Sequence, residues 1–357
     1  TVIVSIFGGR IMLKKILPFL LCLTLCLLVG CFEKKERLSV DRGEEPQSSE
    51  PSQITPVLYK NPLTGISELT EDKADDRPVA IMINNISTAQ PVQTGLNKAD
   101  IIYETEVEGG ITRLMAVYQN VSEVGKIGTI RSARYPYVDL ALGHNAIYLH
   151  HGQDNKYCGP HLKDIDDINI SEGNYGFRIK NGLASEHTLY TEGGKLWDGL
   201  IKDKVKTERG SSAAWASFAD ENTPVTLENT ASSVSVPFSA SYKTVFKYDP
   251  SAGTYTRYFG NTLRKDYNTG EATEVKNVFV LLTTIKNYSD GYHRQVLLES
   301  GEGYYCTEGT YTSIKWSKGA AKNGFKFTKA DGTELSVSAG SSWVCIADKN
   351  TSKPVFE

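Results

Sequence analysis

The chain has 357 residues, of which 40% are hydrophobic and 23% are charged, and its net charge is −3 at pH 7. The length leaves room for two domains of ordinary size, and the composition is that of a globular protein rather than a disordered one. Because the overall charge is slightly negative, the sequence argues against a nucleic-acid-binding protein.

A signal segment is predicted at residues 1–31. Two lysines follow Met12, which we expect to be the initiator, and an apolar run then extends from Ile16 to Val29. This run is shorter than the roughly 20 residues that span a bilayer, so it is typical of a signal peptide. Leu28-Val29-Gly30-Cys31 has the pattern of a lipobox. We therefore expect acyl chains on Cys31 to anchor the protein to the outer face of the cytoplasmic membrane; a plain secretory signal or a signal anchor is the alternative.

Residues 32–58 are predicted to form a flexible tether, because Glu, Ser, Gln, Pro and Lys dominate and scarcely an apolar residue occurs before Ile54. Such a composition cannot bury a core. We expect the folded part to begin near Tyr59 and to divide into a first domain at 59–222 and a second domain at 223–357.

The first domain is predicted to combine a sheet with helices. Val79 to Ile83 is a continuous apolar run typical of a buried strand. From Asp100 to Glu108 mainly apolar side chains on one face alternate with mainly acidic side chains on the other, as in a strand. Gly109-Gly110 can then turn the chain, and a return strand over 111–118 completes a hairpin. A further strand is expected at 146–149, and helices are expected at 137–142 and 192–204.

The second of these helices has an amphipathic pattern. We expect Thr191 to cap its N-terminus. Its buried stripe should consist of Leu196, Trp197, Leu200 and Ile201, which recur at helical spacing.

The second domain is predicted to be made mainly of short strands separated by turn signals such as Asp331-Gly332. The expected strands are 234–237, 244–248, 255–259, 278–284, 295–298 and 343–347. The fold class is therefore α+β, with an N-terminal mixed α/β sheet domain followed by a smaller, mainly β domain.

Three cysteines remain once the signal segment is set aside. They are Cys158, Cys306 and Cys345, and no CxxC spacing occurs among them, which argues against a cysteine zinc site. Cys306 and Cys345 are the one pair within a single predicted domain. They could form a disulfide, or they could be buried free thiols.

Several sequence blocks carry a family resemblance. In the first domain they are 77–85, 95–96, 99–104, 108–113, 128–134 and 186–191; in the second they are 246–249, 255–257, 277–278 and the segment around Trp343. Together these blocks resemble the YerB-like lipoproteins of Gram-positive bacteria, a family defined by a domain of unknown function. The resemblance covers nearly all of the mature chain and implies export, lipid anchoring and a two-domain layout. It implies no activity.

The best candidate ligand site is Arg131-Ser132-Ala133-Arg134, which lies close to the predicted start of a helix. Two guanidinium groups beside the free N–H groups of a helix N-terminus can bind an anion. Arg113 on the return strand could join them. The alternative is that these arginines pair with the glutamates of the hairpin in a structural ion network. The two possibilities are compatible, because the acidic strand could orient the arginines that bind the anion.

Glu104, Glu106 and Glu108 are expected on one face of the first hairpin strand. They could supply the carboxylates of a hydrolase, although neighbours on one strand point in parallel rather than flank a bond. His150 and Asn84 each lie at the end of a predicted strand and are candidate supporting residues. Open α/β sheets often bind ligands at strand ends, but Asn84 could equally cap a turn.

No metal site and no cofactor is predicted. His150 and His151 are neighbours on one strand, so their rings should point to opposite faces, and HExxH spacing is absent. Ser132 lacks the GxSxG motif of serine hydrolases.

Two hypotheses of function follow. The first is a non-enzymatic binding or scaffolding lipoprotein that recognises an anionic cell-wall polymer or an envelope protein through Arg131, Arg134 and Arg113. The alternative is a cell-wall-active hydrolase that uses the hairpin glutamates with a nearby histidine.

Overall fold

A computed structural model describes residues 57–210 and 214–357. The predicted signal segment, its lipidation site Cys31 and residues 32–56 of the predicted tether lie outside these described residues. The described residues belong to one compact unit, Thr55–Glu357. In this part of the chain, no helix is both long enough and apolar enough to cross a membrane.

The first part of the unit mixes strands and helices. Its strands are β1 (Tyr59–Lys60), β2 (Ser67–Leu69), β3 (Val79–Asn84), β4 (Ile101–Glu106), β5 (Thr112–Tyr118), β6 (Lys126–Gly128), β7 (Ile147–His150), β8 (Asp167–Asn169), β9 (Ser171–Glu172), β10 (Tyr175–Arg178) and β11 (Leu189–Glu192). Its α-helices are α1 (Tyr135–Gly143), α2 (Gly159–Leu162) and α3 (Gly193–Lys202). Short 3-10 turns occur at Gln90–Val92, Leu96–Lys98, Glu108–Gly110, Val121–Glu123 and Ser185–His187.

The described residues of the second part form strands. These are β12 (Asn229–Thr230), β13 (Ser233–Pro237), β14 (Lys243–Asp249), β15 (Thr254–Phe259), β16 (Thr262–Leu263), β17 (Glu274–Val275), β18 (Asn277–Thr283), β19 (Ile285–Asn287), β20 (Arg294–Val296), β21 (Ser300–Thr307), β22 (Thr310–Ser317), β23 (Lys326–Lys329), β24 (Ser342–Asp348) and β25 (Val355–Phe356).

Eleven strands form the main sheet, in the order β12-β22-β21-β18-β24-β4-β5-β3-β7-β8, with β23 beside β22. Strands β18, β24, β4, β3, β7 and β8 point the same way, because β5 alone runs antiparallel between β4 and β3. The sheet takes strands from both predicted domains. The predicted α+β class is confirmed.

Both faces of the main sheet are covered. Helix α1 packs on one face, where Tyr137 and Val138 join the cluster that contains Met82. A second sheet, built around β13, β14 and β15, covers the other face and places Phe246 against Trp343, with ring centroids 5.6 Å apart. As a result, every residue of β3, β4 and β5 is buried.

The predicted strands are confirmed close to their expected ends, and so is the hairpin of β4 and β5. The helices predicted at 137–142 and 192–204 are α1 and α3. Strands β21, β22 and β23 were not predicted, and neither were the shorter strands β1, β2, β6, β8 to β12, β16, β17, β19 and β25. In β21 an added Cβ at Gly301 or Gly303 would lie 2.3 or 2.2 Å from a carbonyl oxygen of β18. These glycines therefore permit the close approach of the two strands, although glycine usually weakens a strand.

Helix α3 packs through three of the four side chains that were predicted to be buried. Leu196, Trp197 and Leu200 are buried, but Ile201 is 55% exposed, so that part of the prediction is wrong. The expected cap is also wrong: Thr191 belongs to β11 and donates its hydroxyl hydrogen to the carbonyl of Tyr175 at 2.6 Å.

Leu200 and Ile201 offer a neighbouring pair that tests this packing. We expect Leu200→Ala to lower the free energy of unfolding by about 2–5 kcal/mol, because the change leaves a cavity. Ile201→Ala should change it by about 0.5 kcal/mol or less. Urea denaturation of both variants measures the difference, and equal losses would contradict the placement of the helix.

Cys306 and Cys345 are buried free thiols. They lie on β21 and β24, the two strands that flank β18, where they face Val278 and Val280. Strands two apart in a sheet are separated by roughly 9.5 Å, and a disulfide needs Cα atoms within about 7 Å. The disulfide alternative is therefore wrong.

Candidate functional site

The carboxyl edge of the main sheet collects polar side chains. Strands β18, β24, β4, β3, β7 and β8 all end there, at Thr283, Asp348, Glu106, Asn84, His150 and Asn169. Strand β5 starts from the same edge, with Arg113 as its second residue. Open α/β sheets bind ligands outside the carboxyl ends of their strands, so this edge is the candidate site.

Glu108 forms hydrogen bonds with two of the predicted arginines at this edge. Its carboxylate accepts hydrogen bonds from Nη2 of Arg113 at 2.8 Å and from Nε of Arg134 at 2.8 Å, with a second bond from Arg134. Gly109 has a φ of +72°, a conformation that glycine adopts readily, and it turns the chain directly after Glu108. Arg134 directly precedes α1, so the arginine segment lies near a helix start as the sequence suggested, although the Arg134 side chain makes no capping hydrogen bond.

The pair of arginines fixes the charge of Glu108. Burial alone would raise the pKa of this carboxyl, but the hydrogen bond from Arg134 and the positive charges of Arg113 and Arg134 outweigh it and lower the pKa to about 2. Glu108 is therefore a carboxylate at neutral pH and cannot act as a general acid there.

Arg131 lies near Arg113, where burial lowers the pKa of the Arg113 guanidinium and the positive charge of Arg131 lowers it further. Nη2 of Arg131 donates to Glu186 at 2.9 Å, and its side chain is 26% exposed. Within the described residues this is the one hydrogen bond that its guanidinium makes, which leaves four of five N–H groups available. The carbonyl of Ser132 accepts from Nη1 of Arg113 at 2.7 Å, so this serine contributes its backbone rather than its hydroxyl.

Glu106 pairs with an arginine that sequence reasoning missed. Nε of Arg294, on β20, donates to Glu106 at 3.0 Å. Burial raises the pKa of Glu106, and the hydrogen bond and charge of Arg294 oppose that rise. Arg294 and Arg134 line one small cavity together with both carboxylates.

An aromatic pair closes one side of this cavity. Tyr157, from the segment after β7, stacks on Tyr288, between β19 and β20, with ring centroids 3.9 Å apart. His293 and Asp154 also line the cavity, and Asp154 accepts backbone N–H bonds from Tyr157 and Cys158 at 2.8 and 2.9 Å. Sequence reasoning missed these residues, which come from segments far apart in the chain.

Glu104 lies apart from the other two glutamates. Its carboxylate accepts hydrogen bonds from Thr112 at 2.8 Å, from Thr244 at 3.0 Å and from the indole N–H of Trp343 at 3.1 Å. Burial raises its pKa, against the opposing charge of Arg257. The expectation that three glutamates share one face is therefore wrong, because Glu108 sits in the turn after β4 and Glu104 in the core.

His150 and Asn84 are both buried and both engaged. Nε2 of His150 lies 3.0 Å from Asp167, and its Nδ1 lies 2.9 Å from the carbonyl of Gly152. The amide of Asn84 lies 2.9 Å from Nδ1 of His187, and its Oδ1 accepts from the N–H of Ile86 at 3.3 Å. Asn84 therefore caps a turn, which is one of the two roles expected for it from the sequence. Neither residue lines the cavity of Glu106 and Glu108.

Among the described residues, no group of three or more His, Cys, Asp or Glu side chains is arranged to hold a metal ion. The histidines are dispersed: His144 pairs with Tyr103 at 2.7 Å, His161 with Asp139 at 2.8 Å and His151 with the carbonyl of Ile170 at 2.6 Å. The groups at this edge that could bind an anion are the arginines that carboxylates hold in place.

Comparison with known proteins gives consistent matches. The family described as "Protein of unknown function (DUF3048)" matches through its N-terminal domain at residues 63–206 and its C-terminal domain at 234–344. A protein of Bacillus subtilis (strain 168) named "Putative lipoprotein YerB" is 27% identical over 338 residues, which are 91% of this chain and 93% of that protein. The crystal structure of YerB protein from Bacillus subtilis matches with a TM-score of 0.72 and 26% identity, over 83% of this chain and 99% of that chain.

These matches span both halves of the chain, and they agree with the resemblance seen in the sequence blocks. The N-terminal and the C-terminal family domain follow each other along this chain. The chain belongs to the YerB-like family that these two domains of unknown function define.

Proposed function

We propose that this protein is a lipid-anchored, non-enzymatic binding protein of the cell envelope, which recognises an anionic envelope component at the carboxyl edge of its main sheet. The observation that carries the proposal is that three partly exposed arginines lie near that edge. Each of them is held in place by a carboxylate.

The anchor is supported by the sequence pattern at Cys31 and by the relative that carries the name of a lipoprotein. Acyl chains contribute about 0.8 kcal/mol for each buried CH₂ group, so a multiply acylated cysteine would hold the protein at a membrane. Mass spectrometry of the native N-terminus tests this: an unmodified Cys31 would contradict the anchor.

The three arginines are Arg131, Arg134 and Arg294, with side chains 26%, 16% and 28% exposed. Their partners are Glu186, Glu108 and Glu106. A guanidinium that is already oriented loses little conformational entropy when it binds a carboxylate or phosphate. Arg113, which is 5% exposed, shares Glu108 with Arg134 and is not expected to reach a ligand itself.

The position of the edge also suits an anchored binding protein. Nδ2 of Asn61 donates to Asp100 at 2.8 Å, and Asp100 directly precedes β4. The chain that follows the predicted tether therefore reaches the sheet at its amino edge. Strand β4 separates that edge from the arginines by roughly 20 Å, so the arginines can face away from the membrane.

The hydrolase alternative finds less support. A glycosidase needs one carboxyl that is protonated and placed to donate its proton across the scissile bond. Glu108 is held ionised by two arginines, Glu106 is bound to Arg294, and Glu104 is buried in the core. The geometry therefore favours binding over catalysis.

Co-sedimentation with isolated cell walls tests the proposal. We expect Arg131→Ala with Arg134→Ala to weaken binding to walls that carry teichoic acid by roughly tenfold or more, because two charge-assisted contacts are lost. The single variant Arg131→Ala should show part of this loss while it leaves the Glu108 cluster intact. Walls stripped of teichoic acid should bind the unaltered protein more weakly.

Lys276→Ala is the matched control, because Lys276 is 24% exposed, has one carboxylate partner in Glu308, and precedes β18 at the amino edge. It should bind walls like the unaltered protein. Equal binding by the double arginine variant would contradict the site. Release of soluble wall fragments during the assay would favour the hydrolase.

A further inference from the structure

A lysine-rich stretch distinguishes the second half of the chain. Between Glu308 and Asp331 the sequence holds five lysines and no carboxylate, in a protein whose net charge is −3. The stretch comprises β22, β23 and the loop between them. Its chemistry is that of a surface for anions.

Three of these lysines line one groove, which contains a single carboxylate, that of Glu299. Lys318 is buried, and its Nζ donates to the carbonyl of Ala321 at 2.5 Å, so it shapes the loop. Lys322 and Lys326 are exposed. We refer to Lys318, Lys322 and Lys326 together as the lysine groove.

The loop of the lysine groove follows the end of β22, which lies beside the start of β21 at the carboxyl edge, but the loop reaches the C-terminal end of α1, where Asn323 and Lys318 approach Gly143. Lys322 lines a cavity together with Leu63, Gln119 and Asn145. Gln119 directly follows β5, and Asn145 comes shortly before β7, which places this cavity at the edge opposite the three arginines.

The same edge receives the chain from the predicted tether. Leu63 is six residues from Val57, where the described residues begin, so the two are at most about 22 Å apart. Val57, Leu58 and Tyr59 are exposed apolar side chains. Basic and apolar groups therefore lie close to the point from which a lipid anchor would hold the unit.

We propose that the lysine groove docks on anionic lipid headgroups of the membrane that carries the anchor. This inference rests on the lipid anchoring of the proposed function. A tether of about 25 residues would keep the groove at an effective concentration on the order of millimolar at the membrane surface. Each lysine near such a surface favours contact by about fivefold, so exposed Lys322 and Lys326 suffice to bias the orientation. Docking in this way turns the arginines of the carboxyl edge outward.

Amine labelling of the full lipidated protein tests the docking. The protein is bound to vesicles of phosphatidylcholine alone or mixed with phosphatidylglycerol, and a water-soluble acetylating reagent is followed by mass spectrometry. We expect Lys322 and Lys326 to react about fivefold more slowly, or slower still, on the anionic vesicles. High salt should remove this protection. Lys286 and Lys349, exposed at the carboxyl edge, should react at the same rate on both.

A substitution separates docking from simple burial of the loop. The double substitution Lys322→Glu and Lys326→Glu should abolish the protection from labelling. Because it removes two of the labelled amines, protection in this variant is measured at Lys315 and Lys329 in the flanking strands. Equal labelling on the two kinds of vesicle, or protection that survives the substitution, would overturn the docking. Flotation with neutral vesicles tests the anchor separately: its failure would overturn the anchoring, and the docking with it.

Discussion

Glu108→Ala is expected to lower the free energy of unfolding by about 3–5 kcal/mol, because it leaves a buried guanidinium without its counter-ion. Arg113 is 5% exposed and has two partners, the carboxylate of Glu108 and the carbonyl of Ser132. Removal of the carboxylate leaves this positive charge, together with that of Arg134 beside it, in a poorly solvated place.

Glu186→Ala is the matched control for this loss. It also removes the carboxylate partner of an arginine, but Glu186 is 49% exposed and Arg131 can be hydrated. We expect a change of about 1 kcal/mol or less, since exposed ion pairs contribute little. Chemical denaturation measures both variants, and equal losses would contradict a buried network at the edge.

The pH dependence of the Glu108 variant provides a second check. The folded pKa of Glu108, about 2, lies below the unfolded value of roughly 4.3. A depressed carboxyl pKa adds stability that is fully present above the unfolded value and is lost as the pH falls through the folded one. The difference in stability between the unaltered protein and Glu108→Ala should therefore shrink between about pH 4.5 and pH 2. A constant difference would contradict the ion pairing.

Arg257→Ala is expected to have a similarly large effect, about 3–5 kcal/mol. Arg257 lies on β15 and is 1% exposed, with its guanidinium 4.6 Å above the ring of Trp343. It donates to Asn85 at 2.9 Å and to Gln93 at 3.1 Å. Asn85 in turn donates to Glu104 at 3.1 Å, so a buried polar network joins the two family domains.

Lys247→Ala is the control, since Lys247 also lies over an aromatic ring, that of Tyr258 at 4.7 Å, but is exposed on the neighbouring strand. A cation above a ring at an exposed site contributes about 0.5–1 kcal/mol. Thermal or chemical unfolding compares the two variants. A loss at Arg257 no larger than that at Lys247 would show that the network does not hold the domains together.

The fold could be predicted where one segment carries its own signal. The apolar run of β3 and the glycine turn between β4 and β5 are local patterns, and both elements were found close to their expected ends. Strand β21 was missed because Gly301 and Gly303 suit the backbone of β18, a partner that its own sequence does not reveal. Ile201 is exposed because α3 packs on its neighbours through a narrower stripe than its apolar residues suggest.

The candidate site was predictable in part for the same reason. Arg113, Arg131 and Arg134 could be chosen because two of them flank a helix start and the third lies on a hairpin. Arg294, the partner of Glu106, is 188 residues away in the chain and lies on the separate two-stranded sheet of β19 and β20, so only the tertiary fold brings the two residues together. The separation of Glu104 from Glu108 depends on where β4 ends, which alternation does not determine.

Hydrogen–deuterium exchange with and without a purified teichoic acid tests the central claim most directly, because it shows at which edge of the sheet the ligand binds. We expect slower exchange in the segments around Arg131, Tyr157 and Arg294, and unchanged exchange around Lys276 at the amino edge. Binding accompanied by protection at the amino edge alone would contradict the account. So would the same protection pattern in the variant that lacks both Arg131 and Arg134.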